Sequence, residues 1–264
     1  MNISLDGQVA LIVGGGCLDG GWGNGKAAAV AMARAGAKVG VLDYSEPAAI
    51  DTVEAILKEG GSALPIIADA CSEAQLQAGV DRLTREYGTP SVLHHNVGIA
   101  ELGGPLDTTM EQWERALRAN LTSLFLSVKA VLPGMLKNGA GVVTAISSLA
   151  ALRWTGAPLL AYAVTKAGAI QFTQSLALQY AQQNIRANAI VVGKMDTPLA
   201  YRTYGALTPE EKEATRVARN ASCPTGKMGD AWDVASMSVF LASDAARYVT
   251  GTAIPVDGGI SAKC

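Results

Sequence analysis

Short apolar runs rich in β-branched residues alternate with amphipathic or alanine-rich stretches along almost all of this 264-residue chain. A strand buried on both faces reads as a continuous apolar run, and a parallel strand needs a crossover to return to its sheet. The alternation therefore dictates an α/β fold with a parallel sheet between helical layers. The runs predict strands at Val9 to Val13, Lys38 to Leu42, Ala63 to Ala68, Ser91 to His95, Gly141 to Ile146, Arg186 to Val191 and Thr252 to Val256. Helices are expected at Gly23 to Ala35, Pro47 to Glu59, Ser72 to Tyr87, Thr109 to Lys137, Leu159 to Gln182 and Asp230 to Ala242, with a looser region from Pro198 to Asn220. Thr108 to Glu111 supplies a capping-box start, and Gly36, Gly60 and Gly88 stand at C-terminal stops. Seven strands in one sheet predict a single domain over residues 1–264, in which the least regular stretch, Met195 to Gly229, is a mobile flap over a site.

The formal net charge is −2 and no run of Lys or Arg occurs, so neither nucleic acid nor an anionic membrane is an expected partner. The opening Met1-Asn-Ile-Ser has no basic n-region, and no run approaches the ~18 consecutive apolar residues of a membrane span. Cys17, Cys71, Cys223 and Cys264 lack metal-type spacing and suit a reducing, cytoplasmic location. His94 and His95 are neighbours on a strand and face opposite ways, so they cannot chelate one ion, and no metal site is expected.

The first strand runs into Gly14-Gly-Gly-Cys-Leu-Asp-Gly-Gly-Trp-Gly23-Asn24-Gly25 and then an alanine-rich helix. Strand, glycine loop and helix start bring backbone N–H groups and a helix N-terminus to a pyrophosphate, the Rossmann-type arrangement. Asp43 ends the second strand, where a carboxylate accepts from ribose hydroxyls and repels a 2′-phosphate, which argues for NAD. Asn24 offers no charge to a phosphate, whereas Lys26 is a counter-candidate for NADP unless it is a solvated side chain at the helix start. Asp69, after the third strand, is placed either for the adenine amino group or as a helix cap.

Tyr162 and Lys166 are four apart on a predicted helix, and so share one face about one turn apart. A cation beside a phenol lowers its pKa toward a range useful for proton exchange with an alcohol or carbonyl. Ser148 lies fourteen positions upstream and Asn120 further back. With Asn96-Val97-Gly98, Arg118-Ala-Asn120-Leu and the closing Val249 to Gly259, these residues make the chain resemble the short-chain dehydrogenase/reductase family over nearly its full length. The resemblance implies Tyr162 as proton donor or acceptor and Lys166 as the group that lowers its pKa and holds the nicotinamide ribose. It implies Ser148 as orienter of the substrate oxygen and Asn120 as support for a water-linked proton relay. Thr197, after Gly193, would meet the nicotinamide carboxamide, and the backbone of Val97 and Gly98 would line the cofactor. Hydride transfer to a ketone leaves an alkoxide, so donors aimed at that oxygen stabilise charge as it develops.

Three positions depart from the family pattern. Gly14 and Gly23 enclose eight residues, five more than usual, Val13 replaces a threonine, and Val192 replaces the proline before Gly193. The long loop is similar to that of the branch containing enoyl-acyl-carrier-protein reductases, but three residues between Tyr162 and Lys166, with Ser148 in place, favour alcohol and ketone chemistry. The expected activity is NAD-dependent interconversion of a secondary alcohol and a ketone. The alternatives are an NADP-dependent ketone or 3-oxoacyl reductase, or a non-enzymatic NAD sensor on the same fold. Ala150, Trp154, Leu159, Leu160, Met195, Tyr201 and Tyr204 could line the pocket and are mostly apolar, so a hydrophobic, cyclic or aromatic small-molecule substrate is expected. The resemblance also implies a homotetramer built through the two long helices.

Overall fold

The structure, a computed structural model, describes residues 3–18 and 20–263; Cys264 and the first two residues lie outside them. Seven strands, β1 (Val9–Val13), β2 (Lys38–Asp43), β3 (Ser62–Ile67), β4 (Val92–His95), β5 (Gly141–Ser148), β6 (Ile185–Val192) and β7 (Ala253–Val256), form one sheet in the order β3-β2-β1-β4-β5-β6-β7. Every pairing is parallel. The helices are α1 (Asn24–Arg34), α2 (Glu46–Lys58), α3 (Glu73–Tyr87), α4 (Met110–Leu117), α5 (Ser123–Asn138), α6 (Leu160–Tyr180), α7 (Pro198–Arg202), α8 (Pro209–Ser222) and α9 (Ala231–Ala242).

Strand β1 shows why its sequence, Val-Ala-Leu-Ile-Val, is apolar throughout. Val9, Leu11 and Val13 pack with Leu83 of α3, Val128 of α5 and Leu176 of α6, while Ala10 and Ile12 pack with Val30 of α1, Val53 of α2 and Ala242 of α9. Both faces are covered, so the fold is a doubly wound Rossmann-type sandwich. The strand order reverses between β1 and β4, and a crevice at the carboxyl ends of those strands is where such sheets take their ligands.

The stretch expected as one helix from Thr109 is interrupted. A π-turn, Arg118–Thr122, separates α4 from α5 and carries Asn120 inward. The whole stretch Met110–Asn138 is long and apolar enough by composition to cross a membrane, but half of its most apolar window is buried inside the fold, where Leu124, Val131 and Met135 belong to the core. The Met195 to Gly229 segment contains α7 and α8, and its ends are stitched together by a bridge between Met195 and Gly229, with Asp196 N–H donating to the Gly229 carbonyl at 2.8 Å.

His94 and His95 are both buried, on opposite faces, and among the described residues no group of metal-ligating side chains occurs. His95 Nε2 is 2.9 Å from Ser123 Oγ, whereas neither ring nitrogen of His94 has a partner among the described residues. Burial lowers His94 to about 4 and, with a contribution from Lys166, lowers His95 to about 3. The unfolded chain therefore binds more protons below about pH 6.5, and stability falls as the pH drops through the window from there to the folded values. Urea midpoints measured from pH 7 to pH 4 should decline, and His94→Leu should flatten the decline. An unchanged slope in that variant would rule out His94 as a source.

Candidate active site

The glycine loop is shaped by close approach. Gly14 takes a positive φ of 78° and receives the Asn96 amide on its carbonyl at 3.0 Å. A Cβ on Gly25 would collide with the same carbonyl, so α1 starts directly against the turn of β1. Gly23 does not cap α1 through a side chain, and Asn24 Oδ1 at that helix start is buried without a partner among the described residues. Unfilled backbone donors at the helix start and glycines too close for side chains fit the pyrophosphate of a dinucleotide. Gly25→Ala should weaken dinucleotide binding and destabilise the fold by roughly 1–3 kcal/mol through overpacking. Calorimetric titration with a thermal melt checks both, and a parent-like melt would contradict the packing described.

Asp43 is almost fully buried at the end of β2, with Oδ2 accepting from Gly16 N–H at 2.9 Å and Oδ1 from Ser45 N–H at 3.0 Å. It thus fixes the loop as well as facing it. Lys26 is not the solvated side chain anticipated as one option. It is 4 % exposed, pairs with Asp51 and lies 4.8 Å over the Trp22 ring. Trp22, in the lengthened loop, in turn stacks at 4.7 Å on Trp232 of α9, so the insertion is anchored rather than loose. Asp69 is exposed and does not cap α3; its Oδ1 accepts from Cys71 N–H at 2.8 Å, and Ser72 is the cap.

At the ends of β4, β5 and α6 the remaining candidates meet. Lys166 is buried and donates to the Ile146 carbonyl at 2.9 Å and the Val97 carbonyl at 3.3 Å, and a Cβ on Gly98 would stand 2.9 Å from its Nζ. Burial lowers Lys166 to about 8. Its Nζ is 5.8 Å from the Tyr162 ring centroid. The phenol is nevertheless raised, because burial outweighs the opposing hydrogen bond from Ser148. Desolvation, rather than the charge of Lys166, is the largest influence on the phenol here.

Asn120 is tied into the fold by three hydrogen bonds. Its Oδ1 accepts from Ile99 N–H at 2.7 Å and its Nδ2 donates to the Ile99 carbonyl at 3.0 Å and to Thr165 Oγ1 at 2.9 Å. Both Nδ2 protons are thus engaged within the fold, while Oδ1 keeps a second lone pair able to accept from a water. Thr165, one residue before Lys166 and itself donating to the Tyr162 carbonyl at 2.8 Å, was not among the sequence candidates. Its place beside the Tyr/Lys pair was the available signal.

Gly193 leaves no room for a side chain, since a Cβ would lie 2.5 Å from that of Asp257. Thr197 is buried before α7, and its hydroxyl does not cap that helix. Of the pocket candidates, Ala150 binds the Ser148 hydroxyl through its N–H at 3.2 Å, Leu159 bridges to Gly103, and Met195 is buried against Val234 and Ile190. Tyr201 is buried with its hydroxyl donating to Asp196 at 2.6 Å. Trp154 is 77 % exposed and Tyr204 44 % exposed, so neither is held against the catalytic candidates.

A family model described as enoyl-(acyl carrier protein) reductase matches residues 21–261. The 2,5-dichloro-2,5-cyclohexadiene-1,4-diol dehydrogenase of Sphingobium indicum is 36 % identical over 97 % of each chain. The chain belongs to the short-chain dehydrogenase/reductase family. A solved structure described as a member of that family, from Burkholderia xenovorans, superposes with a TM-score of 0.91 at 40 % identity over 98 % of both chains. A gluconate 5-dehydrogenase from Burkholderia cenocepacia, solved with NADP and tartrate, superposes at 0.87 with 27 % identity over 100 % of this chain and 98 % of that one. This member of the family is accordingly an oxidoreductase that uses a nicotinamide cofactor.

Proposed function

We propose that the protein is an NAD-dependent dehydrogenase interconverting a hydrophobic, cyclic secondary alcohol and its ketone. The observation that carries this is the meeting of Ser148, Tyr162 and Lys166 beside Val97 and Gly98, at the sheet's reversal point. The nicotinamide, when bound, supplies or accepts the hydride. Tyr162 gives its phenolic proton to the substrate oxygen in reduction and takes it back in oxidation. Ser148 orients that oxygen with a second hydrogen bond. Lys166 holds Val97 and the strand end in register and offers its remaining proton toward the cofactor ribose, while Asn120 ties the Ile99 loop to α6 through Thr165. Gly14, Gly23, Asn24 and Gly25 would cradle the pyrophosphate, Asn96 would steady Gly14, and Gly193 and Thr197 would face the nicotinamide.

NAD is favoured because Asp43 places a carboxylate beside Gly16, where a 2′-phosphate would be repelled, and because Lys26 is already paired with Asp51. An NADP-dependent reductase is the alternative, supported by the NADP in the related gluconate dehydrogenase structure. The Ser148 and Tyr-x-x-x-Lys set speaks against enoyl chemistry despite the description of the matched family model. A cyclic alcohol is supported by the cyclohexadienediol named for the relative from Sphingobium. Exposed apolar side chains on α5 and α6, Phe125 and Leu178 among them, support a homotetramer built through those helices. The segment between Met195 and Gly229 is proposed to close over bound substrate. Reduced-cofactor absorbance with NAD or NADP and a panel of secondary alcohols tests the activity. Faster turnover with NADP would reverse the cofactor assignment, and tight NAD binding with no turnover would identify a sensor.

A further inference from the structure

The loop after β4 is pinned to the start of α6 by a bridge in which Gly103 N–H donates to the Pro158 carbonyl at 2.7 Å and Leu160 N–H donates to the Gly103 carbonyl at 3.2 Å. Pinning brings Glu101 and Tyr162 into the wall of one cavity, together with Ile99, Thr108, Gln112 and Ala116. The cavity measures about 10 Å³, room for a single water-sized group. The Glu101 carboxylate is divided in its contacts. Oε1 accepts from Arg115 at 2.6 Å, whereas Oε2 is buried and has no hydrogen-bond partner among the described residues.

An ionised carboxylate only accepts hydrogen bonds, and a buried acceptor left unmatched is costly. The Gln112 side-chain carbonyl is already matched by Thr109 N–H at 2.9 Å, so the cavity's unmet demand lies on Glu101. What completes it is a hydrogen-bond donor of water size in the space that Tyr162 also lines. A water or a substrate hydroxyl meets that description; a carbonyl, an ether or a hydrocarbon edge does not.

We propose that Glu101 is a specificity determinant that accepts a hydrogen bond from a second hydroxyl of the substrate, so that the enzyme acts on diols and hydroxyketones in preference to mono-alcohols. This rests on Tyr162 being the proton-exchanging group. In oxidation the O–H proton would pass to the Tyr162 phenolate as the C=O bond forms, and the nicotinamide, when bound, would take up the hydride lost from that carbon. The second hydroxyl is unchanged and serves only to hold and orient the ring.

The test compares kcat/KM with NAD for cyclohexanol and for the 1,2-, 1,3- and 1,4-cyclohexanediols. At least one diol should exceed cyclohexanol by about tenfold or more, and Glu101→Leu should lower that ratio by roughly ten- to hundredfold, the scale of a hydrogen bond to a charged group. Glu101→Gln keeps an acceptor and should retain part of the ratio. Arg115→Met removes the outer ion pair but not Oε2 and should keep the ratio. No diol preference, a ratio that survives Glu101→Leu, or equal loss in Arg115→Met would each overturn the assignment of Glu101. Failure to turn over any alcohol or ketone overturns the proposed function and this inference with it, whereas diol-blind turnover overturns the inference alone.

Discussion

Tyr162→Phe should lower kcat by about 10²- to 10⁴-fold, the usual contribution of a positioned acid or base, while leaving the dissociation constant for NAD nearly unchanged. The substitution removes one hydroxyl and keeps the ring, so its effect isolates the proton from the packing. The direction of the Tyr162 shift adds a second expectation. A phenol raised above its ordinary range is protonated at neutral pH and is ready to donate in ketone reduction. Alcohol oxidation needs the deprotonated form, so its rate should climb with pH across the assay range while reduction stays level. Stopped-flow single turnovers in both directions would measure this. Full activity in the phenylalanine variant would remove Tyr162 from the chemistry, and an oxidation rate independent of pH would show that another group takes the proton.

The sheet was legible because burial on both faces writes apolar residues at every position of strands such as Val9–Val13, and glycine stops marked helix ends. The break in the helix at Arg118–Thr122 was not, since its residues have ordinary helical composition. What stabilises the extra residue is tertiary: His95 on Ser123, and Asn120 on Ile99 and Thr165. The same division runs through the site. Spacing put Tyr162 and Lys166 on one helical face, but the carbonyls that accept from Lys166 come from β5 and the loop after β4, so those contacts could not be read locally. Lys26 was misjudged as a solvated option for the same reason. Its burial depends on Asp51 in α2 and on Trp22, which itself stacks on Trp232 from the far end of the chain. Glu101 carried no motif at all, and its place in the same cavity wall as Tyr162 depends on the long-range approach of the Gly103 loop to Leu159.

Lys166→Met should damage turnover and cofactor binding together, which separates it from the tyrosine variant. Its ammonium donates to the Ile146 and Val97 carbonyls, so removal leaves two acceptors unmatched and frees the strand end that lines the proposed cofactor site. The same change should also remove the cost of the buried ammonium on the acid side of the lysine's titration. Burial lowers Lys166 to about 8 from an ordinary 10.5, which means that the folded protein binds this proton less tightly than the unfolded chain does. The sign follows from linkage. Below about pH 8 both states are protonated and the folded state carries the full cost of a buried charge, on the order of 3 kcal/mol; between about pH 8 and 10.5 the cost is relieved and stability rises with pH. The raised Tyr162 acts in the opposite sense only above about pH 10, where the unfolded phenol ionises first. Denaturant melts of the parent should therefore gain stability from pH 8 toward pH 10, and Lys166→Met should lose that gain while binding NAD more weakly. A parent curve that falls over this interval, with the variant parallel to it, would show that the Lys166 ammonium is not held at a cost. Weak catalysis with intact NAD affinity would instead confine Lys166 to the proton-transfer step.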